Sequence, residues 1–331
     1  MAAPSSMPQR RLGKTGFDVG VIGFGAWAIG GSWGEVSETE AMAALHAAVD
    51  SGVTFFDTAD VYGDGRSERF IGRLLKERDE PLVVATKMGR RSPLDLALYT
   101  VENFRTWIDR SRDLLGVEQL DLTQLHCLGD DIYRHPEVWE ALDALRQEGL
   151  FANYGVSVET VDEGMHALAI PGIASVQIIF NLFRQKPAEA FLPAAAAADV
   201  GVIARVPLAS GLLTGKLTAD SSFPAADHRN FNRHGEAFDV GETFSGVPYD
   251  LGLAAVERIR TAAGDIALTR AALRWILMFE PVTTVIPGAK SARQAIDNAS
   301  VAALGPLDSG FMAEAREIYR EMIAPAVHQR W

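Results

Sequence analysis

The segment Val53-Thr-Phe-Phe-Asp57, followed by an amphipathic stretch over 67–76 and then by Leu82-Val-Val-Ala-Thr-Lys87, reads as strand, helix, strand. Both flanking runs are apolar almost throughout instead of alternating. That is the pattern of a parallel strand buried on both faces. Working outward, the same alternation fills the chain. Strands are expected at 21–27, 53–59, 82–87, 120–127, 153–158, 174–180, 202–207 and 283–287. Helices are expected at 37–51, 67–76, 101–115, 137–148, 161–169, 187–198, 251–263, 268–279, 292–303 and near 310–322. Ser37 with Glu40 three residues on has capping-box spacing and marks a helix start. Eight strand–helix units favour a closed (β/α)8 TIM barrel of the α/β class over an open doubly wound sheet.

The barrel is read as a single domain over 1–331, with its core at about 11–305 and a C-terminal helix at about 308–323. An N-terminal hairpin over 11–19, turning at 14–16, precedes the first barrel strand. A long loop over 218–249, rich in Gly, Pro, Asp and Asn, follows strand seven. Loops of that length are usually functional or disordered. In a barrel this one lies on the active-site face.

Composition bounds the partners. The 31 Lys and Arg against 43 Asp and Glu leave a net charge of −12. A surface so acidic argues against nucleic acid and against anionic membranes. It leaves room for a local basic pocket. Nowhere do 18 apolar residues run without a charge, so no membrane span is expected. No signal-peptide pattern is visible. The lone Cys127 forms no internal disulfide and reads as structural, which fits a cytoplasmic chain. Nothing in the sequence fixes an oligomeric state.

Several motifs fail. Gly23-Phe-Gly25-Ala-Trp-Ala28 matches a dinucleotide fingerprint, but Gly30, Gly31 and Gly34 follow where a helix should open. These glycines read as a close-packed loop at a strand end. The seven histidines show no metal-ligand spacing, so no metal is expected.

Four polar residues stand where a barrel puts its catalysts, at or just beyond strand C-termini. Asp57 and Lys87 end their strands, Tyr62 follows Asp57 by five residues, and His126 ends Leu120-Asp-Leu-Thr-Gln-Leu-His126. Singly, each has a bland reading as a cap, a loop residue or a satisfied core polar group. Jointly their chemistry agrees. A buried lysine needs a counter-charge, which Asp57 supplies. An ammonium beside a phenol favours phenolate and is expected to lower the Tyr62 pKa. A tyrosine so tuned is a general acid for a carbonyl under reduction, with His126 orienting the oxygen.

On these residues the sequence resembles the aldo-keto reductase family. The pieces that carry the resemblance are Phe56-Asp-Thr-Ala-Asp-Val-Tyr-Gly63 with Gly65-Arg-Ser-Glu68, then Ala85-Thr-Lys87, then Asp121-Leu-Thr-Gln-Leu-His126. The resemblance implies a barrel that binds NADP(H) without a Rossmann domain, and the catalytic set Tyr62, Asp57, Lys87 and His126. It also implies cofactor contacts. Ser157 and Gln177 match the carboxamide ligands. Arg205 stands where many members stack an aromatic residue on the nicotinamide. Pro207, Leu208, Ser210, Gly211, Leu213 and Lys216 match the pyrophosphate segment, and Gly25, Ala26 and Trp27 the first strand end. Gly288, Lys290, Arg293, Gln294 and Asn298 match the adenosine segment, where two cations in four residues suit a 2′-phosphate and favour NADP over NAD. Arg229 and Asn230 are candidates to fold over the cofactor.

The expected function is NADPH-dependent reduction of an aldehyde or ketone, with a small-molecule carbonyl substrate. Trp27, Trp33 and Phe180, with Tyr62 and His126, are expected to line the substrate pocket. An aromatic or medium apolar carbonyl fits that lining, and a sugar or polyol stays open. A regulatory NADPH sensor of the channel β-subunit type is the alternative. A barrel isomerase or aldolase using Lys87 as a Schiff base is a third reading; it leaves Tyr62 without a role.

Overall fold

A computed structural model describes residues 7–31 and 33–331. Ten strands are present among them. β1 (Gln9–Arg11) and β2 (Asp18–Gly20) form the antiparallel N-terminal hairpin. The other eight run parallel in sequence order: β3 (Phe24–Gly25), β4 (Phe55–Asp57), β5 (Val83–Met88), β6 (Leu120–His126), β7 (Phe151–Ser157), β8 (Ile173–Ile179), β9 (Gly201–Arg205) and β10 (Val282–Val285). The seam between β10 and β3 closes through the bridges Ile22–Val285 and Gly25–Gly288. The result is the expected (β/α)8 barrel.

The first strand is much shorter than the expected 21–27. At Gly25 a Cβ would stand 2.6 Å from the Ile286 carbonyl oxygen, so only glycine lets the two chains meet. The chain then turns at once into a one-turn helix, α1 (Trp27–Gly30). The flanking helices α2 (Glu38–Asp50), α3 (Arg66–Glu77), α4 (Val101–Leu115), α5 (Pro136–Gln147), α6 (Val161–Leu168) and α7 (Phe191–Ala197) follow their strands. The Ser37–Glu40 capping box forms as expected. The segment over 218–249 is not featureless. It holds α8 (His228–Phe231) and two 3-10 turns, Val240–Glu242 and Phe244–Gly246. Then come α9 (Tyr249–Ala263), α10 (Leu268–Leu277), α11 (Ala292–Ala299), α12 (Ser309–Ile318) and α13 (Ala324–Val327). None of the described helices is long and apolar enough to cross a membrane.

The strand period of two sorts the residues. Phe56, Val84, Leu125 and Val202 point outward and pack under the helices. Phe55, Ala85, Leu122 and Ile203 point inward, where they meet Leu12 and Val19 of the hairpin. Gly13 of the hairpin lies so close to β9 that a Cβ would stand 2.3 Å from the Gly201 nitrogen. The hairpin therefore plugs the N-terminal end of the barrel. Two residues along from those inward apolar groups come Asp57, Lys87, Gln124 and Arg205. The site sits at the opposite end from the plug.

Candidate active site

Strand pairing sets the polar ends side by side. Lys87 pairs with Gln124, His126 with Ser157, and Ser157 with Gln177. Lys87 is buried to 1% exposure. Its Nζ donates to Asp57 Oδ1 at 2.5 Å, to the Thr58 carbonyl at 2.8 Å and to the Tyr62 hydroxyl at 3.4 Å. Asp57 Oδ2 in turn accepts from Gln177 Nε2 at 2.6 Å. The ammonium is thus compensated in a dry setting where, alone, it would be costly. Burial draws the Lys87 pKa down, and Asp57 works against that.

The expected lowering of the Tyr62 pKa is not what the geometry produces. Burial pushes the phenol well above its ordinary value, and Asp57 and Glu242 push the same way. Desolvation is the larger cause, and the counter-charge adds to it. Asp57 lies against the ammonium that was to stabilise a phenolate, and cancels much of its effect. Tyr62 therefore keeps its proton at neutral pH, the state a proton donor needs before it acts. His126 is held neutral, first by burial and then by Arg90, Lys87 and Arg205.

Behind this set lies a second pair of acids in the same loop and helix. Asp60 is 2% exposed, and burial with Glu68 nearby pushes its carboxyl up to about 7. Glu68 accepts from the Thr86 hydroxyl at 2.6 Å.

A charged network that the sequence did not reveal forms the far wall. Arg90 Nη1 donates to Glu242 Oε1 at 2.9 Å and lies 3.4 Å from His126 Nε2. Arg205 Nη2 donates to Glu159 Oε2 at 2.8 Å and to the Val158 carbonyl at 3.0 Å. Its Nη1 is 3.6 Å from Glu242. Burial raises the Glu159 carboxyl; Glu242 is held low by Arg90 and Arg205 in spite of burial. Cys127 Sγ and an oxygen from each glutamate lie within 4.8 Å of one another. The two guanidiniums already meet that charge, and burial raises the Cys127 thiol out of the thiolate range. Cys127 has φ +55, and Val206, Ser210 and Ser245 are also left-handed at +52, +52 and +59. For a β-branched valine this is a strained conformation, and strain of this kind gathers at functional sites.

Above these groups opens a cavity of about 620 Å³. Near its floor the wall includes Trp27, Asp57, Tyr62, His126, Ser157 and Gln177. Along its length come Arg205, Pro207, Leu208, Ser210, Gly211 and Lys216, and at its far end Gly288, Lys290, Gln294 and Asn298. Gly25 and Trp33 also face it. The lid segment contributes Arg229 and Glu242. Lys290 Nζ donates to the Trp33 carbonyl, and its pKa is lowered by burial and then by the charge of Arg229. Asn298 Nδ2 donates to the Gly288 carbonyl at 3.2 Å.

Six expected residues fall elsewhere, among them Asn230, whose Nδ2 donates to the Phe223 carbonyl at 3.1 Å. Lys87 stands behind the wall, not in it. Phe180 is fully buried against Trp275 and Phe279, with centroids at 5.0 and 4.9 Å, under α10. Strand parity explains the misplacement: Gln177 points in, so Phe180 points out. Leu213 is core, and both its N–H and that of Gly211 close on the Leu208 carbonyl, so those two donors are taken inside the turn. Ala26 is buried, its N–H on the Asp57 carbonyl and its own carbonyl accepting from Ser67 Oγ. The Arg293 side chain is 92% exposed and faces Asp297 at 3.8 Å.

Fold and site together define a TIM-barrel oxidoreductase with a buried Lys–Asp–Tyr floor. A family model for the aldo/keto reductase family matches residues 21–320, and the chain belongs to that family. It is similar to the aldo-keto reductase YhdN of Bacillus subtilis, 28% identical over 82% of this chain and 81% of that protein. It is also similar to a probable voltage-gated potassium channel subunit beta of Oryza sativa subsp. japonica, 29% identical over 91% of this chain and 93% of the other. Among solved structures, the glycerol dehydrogenase AKR11B4 of Gluconobacter oxydans superposes with a TM-score of 0.77 at 27% identity, covering 98% of this chain and 97% of that one.

Proposed function

We propose that the protein is an NADPH-dependent reductase of aldehydes or ketones, reversible toward alcohol oxidation, and that it works on a small soluble substrate in the cytoplasm. The observation that carries the reading is the Lys87 ammonium, 2.5 Å from Asp57 and 3.4 Å from the Tyr62 hydroxyl, behind the Asp57 and Tyr62 wall of the cavity. That wall suits proton donation to a carbonyl oxygen, and the 620 Å³ of the cavity suits a dinucleotide.

The residues present fit that group. Ser157 and Gln177 would hold the carboxamide, and Arg205, fixed by Glu159, would face the ring with its planar guanidinium. Leu208, Ser210 and Lys216 line the stretch suited to the pyrophosphate. Lys290 with Arg229 forms the basic spot suited to a 2′-phosphate, while Gln294 and Asn298 suit the adenine. The bound nicotinamide supplies hydride to the carbonyl carbon. Tyr62, kept protonated by burial, gives its proton to the carbonyl oxygen. Lys87 stabilises the phenolate that remains, and Asp57 holds Lys87 charged.

The test is consumption of NADPH, against NADH, with a panel of aldehydes and ketones. Turnover preferring NADPH is expected. Tight NADPH binding without turnover on any carbonyl overturns the reductase and favours the second reading, a regulatory sensor, for which the likeness to a channel β subunit speaks.

A further inference from the structure

Trp331 is 4% exposed and sits in a slot walled by two glycines. A Cβ at Gly246 would stand 2.4 Å from Trp331 Cη2. One at Gly241 would stand 3.1 Å from Trp331 Cε2, and 2.7 Å from both Arg184 Nη1 and Asp239 Oδ1. A side chain at either place would crowd the ring or its partners, so the two turns of the lid, Val240–Glu242 and Phe244–Gly246, are shaped around it. The ring is held by two arms. Its Nε1 donates to Asp239 Oδ1 at 3.0 Å, and the same oxygen accepts from the Gly241 nitrogen at 2.6 Å. The Arg184 guanidinium lies over the ring, 4.2 Å from its centroid.

Neither arm stops there. The Asp239 arm runs into the turn that ends on Glu242, whose carbonyl accepts from Ser210 Oγ at 3.0 Å. On the other arm Arg184 is 4% exposed, and its Nη1 has no hydrogen-bond acceptor among the described residues. The ring face serves that buried cation in place of an acceptor. Arg184 Nη2 donates to the Glu159 carbonyl at 3.3 Å, and the Glu159 carboxylate holds Arg205 at 2.8 Å. Glu242 and Arg205 both line the cavity and approach each other to 3.6 Å. Trp331 is not among the lining residues. One buried ring thus stands behind two charged residues of the wall.

Resting on the reading of the cavity as a dinucleotide site, we propose that Trp331 is a positioning residue for that site, setting Glu242 through Asp239 and Arg205 through Arg184 and Glu159. A wall ordered in advance spares the ligand the cost of ordering it on binding. Without the ring, Arg205 and Glu242 keep their chemistry but gain other rotamers, and the cost returns as weaker binding.

The test measures NADPH affinity across variants of the slot. Trp331→Ala is expected to weaken binding about tenfold, the scale for a side chain that acts on a site without touching its ligand. Trp331→Phe keeps a ring over Arg184 and should recover most of the loss. Gly241→Ala crowds the slot from the lid side and should reproduce it. The double variant Gly241→Ala/Trp331→Ala should be no worse than either single one. Ile323, fully buried earlier in the same tail, gives the control: Ile323→Ala should lower the melting temperature and leave affinity as it was. Unchanged affinity in Trp331→Ala, additive losses in the double variant, or an equal loss in Ile323→Ala overturns the proposal. Amide hydrogen exchange over 239–246 needs no ligand. It should quicken in Trp331→Ala, and an unchanged rate overturns the proposal outright. A wild type that binds no NADPH sinks the dinucleotide reading, while the exchange measurement still decides this one.

Discussion

The two ends of the barrel are built from the same strands and do opposite work. At the plugged end, Phe55, Ala85, Leu122 and Ile203 meet the hairpin residues Leu12 and Val19 in a dry apolar cluster. Two residues further along, the same inward columns carry Asp57, Lys87, Gln124 and Arg205. One step of the strand period thus separates a region that holds the fold from one that holds charge. The lesson is that stability and chemistry occupy different layers of one column, so that each should be breakable alone.

The largest expected effect is at the mouth. Tyr62→Phe removes the proposed proton donor and should lower kcat by about 10³-fold, within the usual range for a general acid, with NADPH binding and melting temperature held. Loss of folding instead would mean that the layers are not separable. At the base, Phe55→Ala should cost about 3–4 kcal/mol of stability by leaving a cavity, measured by denaturant unfolding, with kcat of the folded protein kept.

Asp60, 2% exposed in the loop that also carries Tyr62, bears on the comparison as a buried acid. Its carboxyl is pushed up to about 7, chiefly by burial. The folded state therefore holds a proton that the unfolded state releases near pH 4. Stability falls as pH rises from there through 7, and the full cost is present at pH 8. Asp60→Asn should raise stability at pH 8 by about 4 kcal/mol at most, and the gain should vanish as pH falls toward 4. A gain independent of pH would show that ionisation is not its cause. Smallest is Lys290→Ala at the far end of the cavity. NADPH affinity should fall about tenfold, roughly one charge-assisted hydrogen bond, with NADH affinity little changed. Equal losses on both would remove Lys290 from any 2′-phosphate site.

The sequence made the barrel legible because eight buried strands announce themselves as uninterrupted apolar runs. Asp57, Lys87 and His126 were legible because each closes such a run, and Tyr62 because it lies in the adjoining loop. The wall opposite was not. Arg90 and Glu242 are 152 residues apart, and nothing local ties a glutamate in a glycine-rich lid to an arginine past β5. The outward course of Phe180 is legible in the sequence, since counting by twos from Gln177 turns it toward α10. The direction of the Tyr62 shift failed for another reason. Burial of the phenol outweighs the Lys87 ammonium, whose counter-charge Asp57 also acts directly on Tyr62.

The seam where β3 meets β10 carries a consequence of its own. It is fastened by two isolated bridges, at Ile22–Val285 and Gly25–Gly288, while β6 and β7 pair along six registered positions. A ring breathes first where its pairing is shortest, which is on both sides of β3, since β3 pairs with β4 at two positions only. Gly25 and Gly288 both face the cavity, so the proposed dinucleotide, if it lies across them, would act as a clasp on the ring. Amide hydrogen exchange should then be fastest at Gly23 and Val285 in the free protein and slow more there than elsewhere when NADPH is bound. Uniform slowing around the ring would mean that the joint is no weaker than its neighbours.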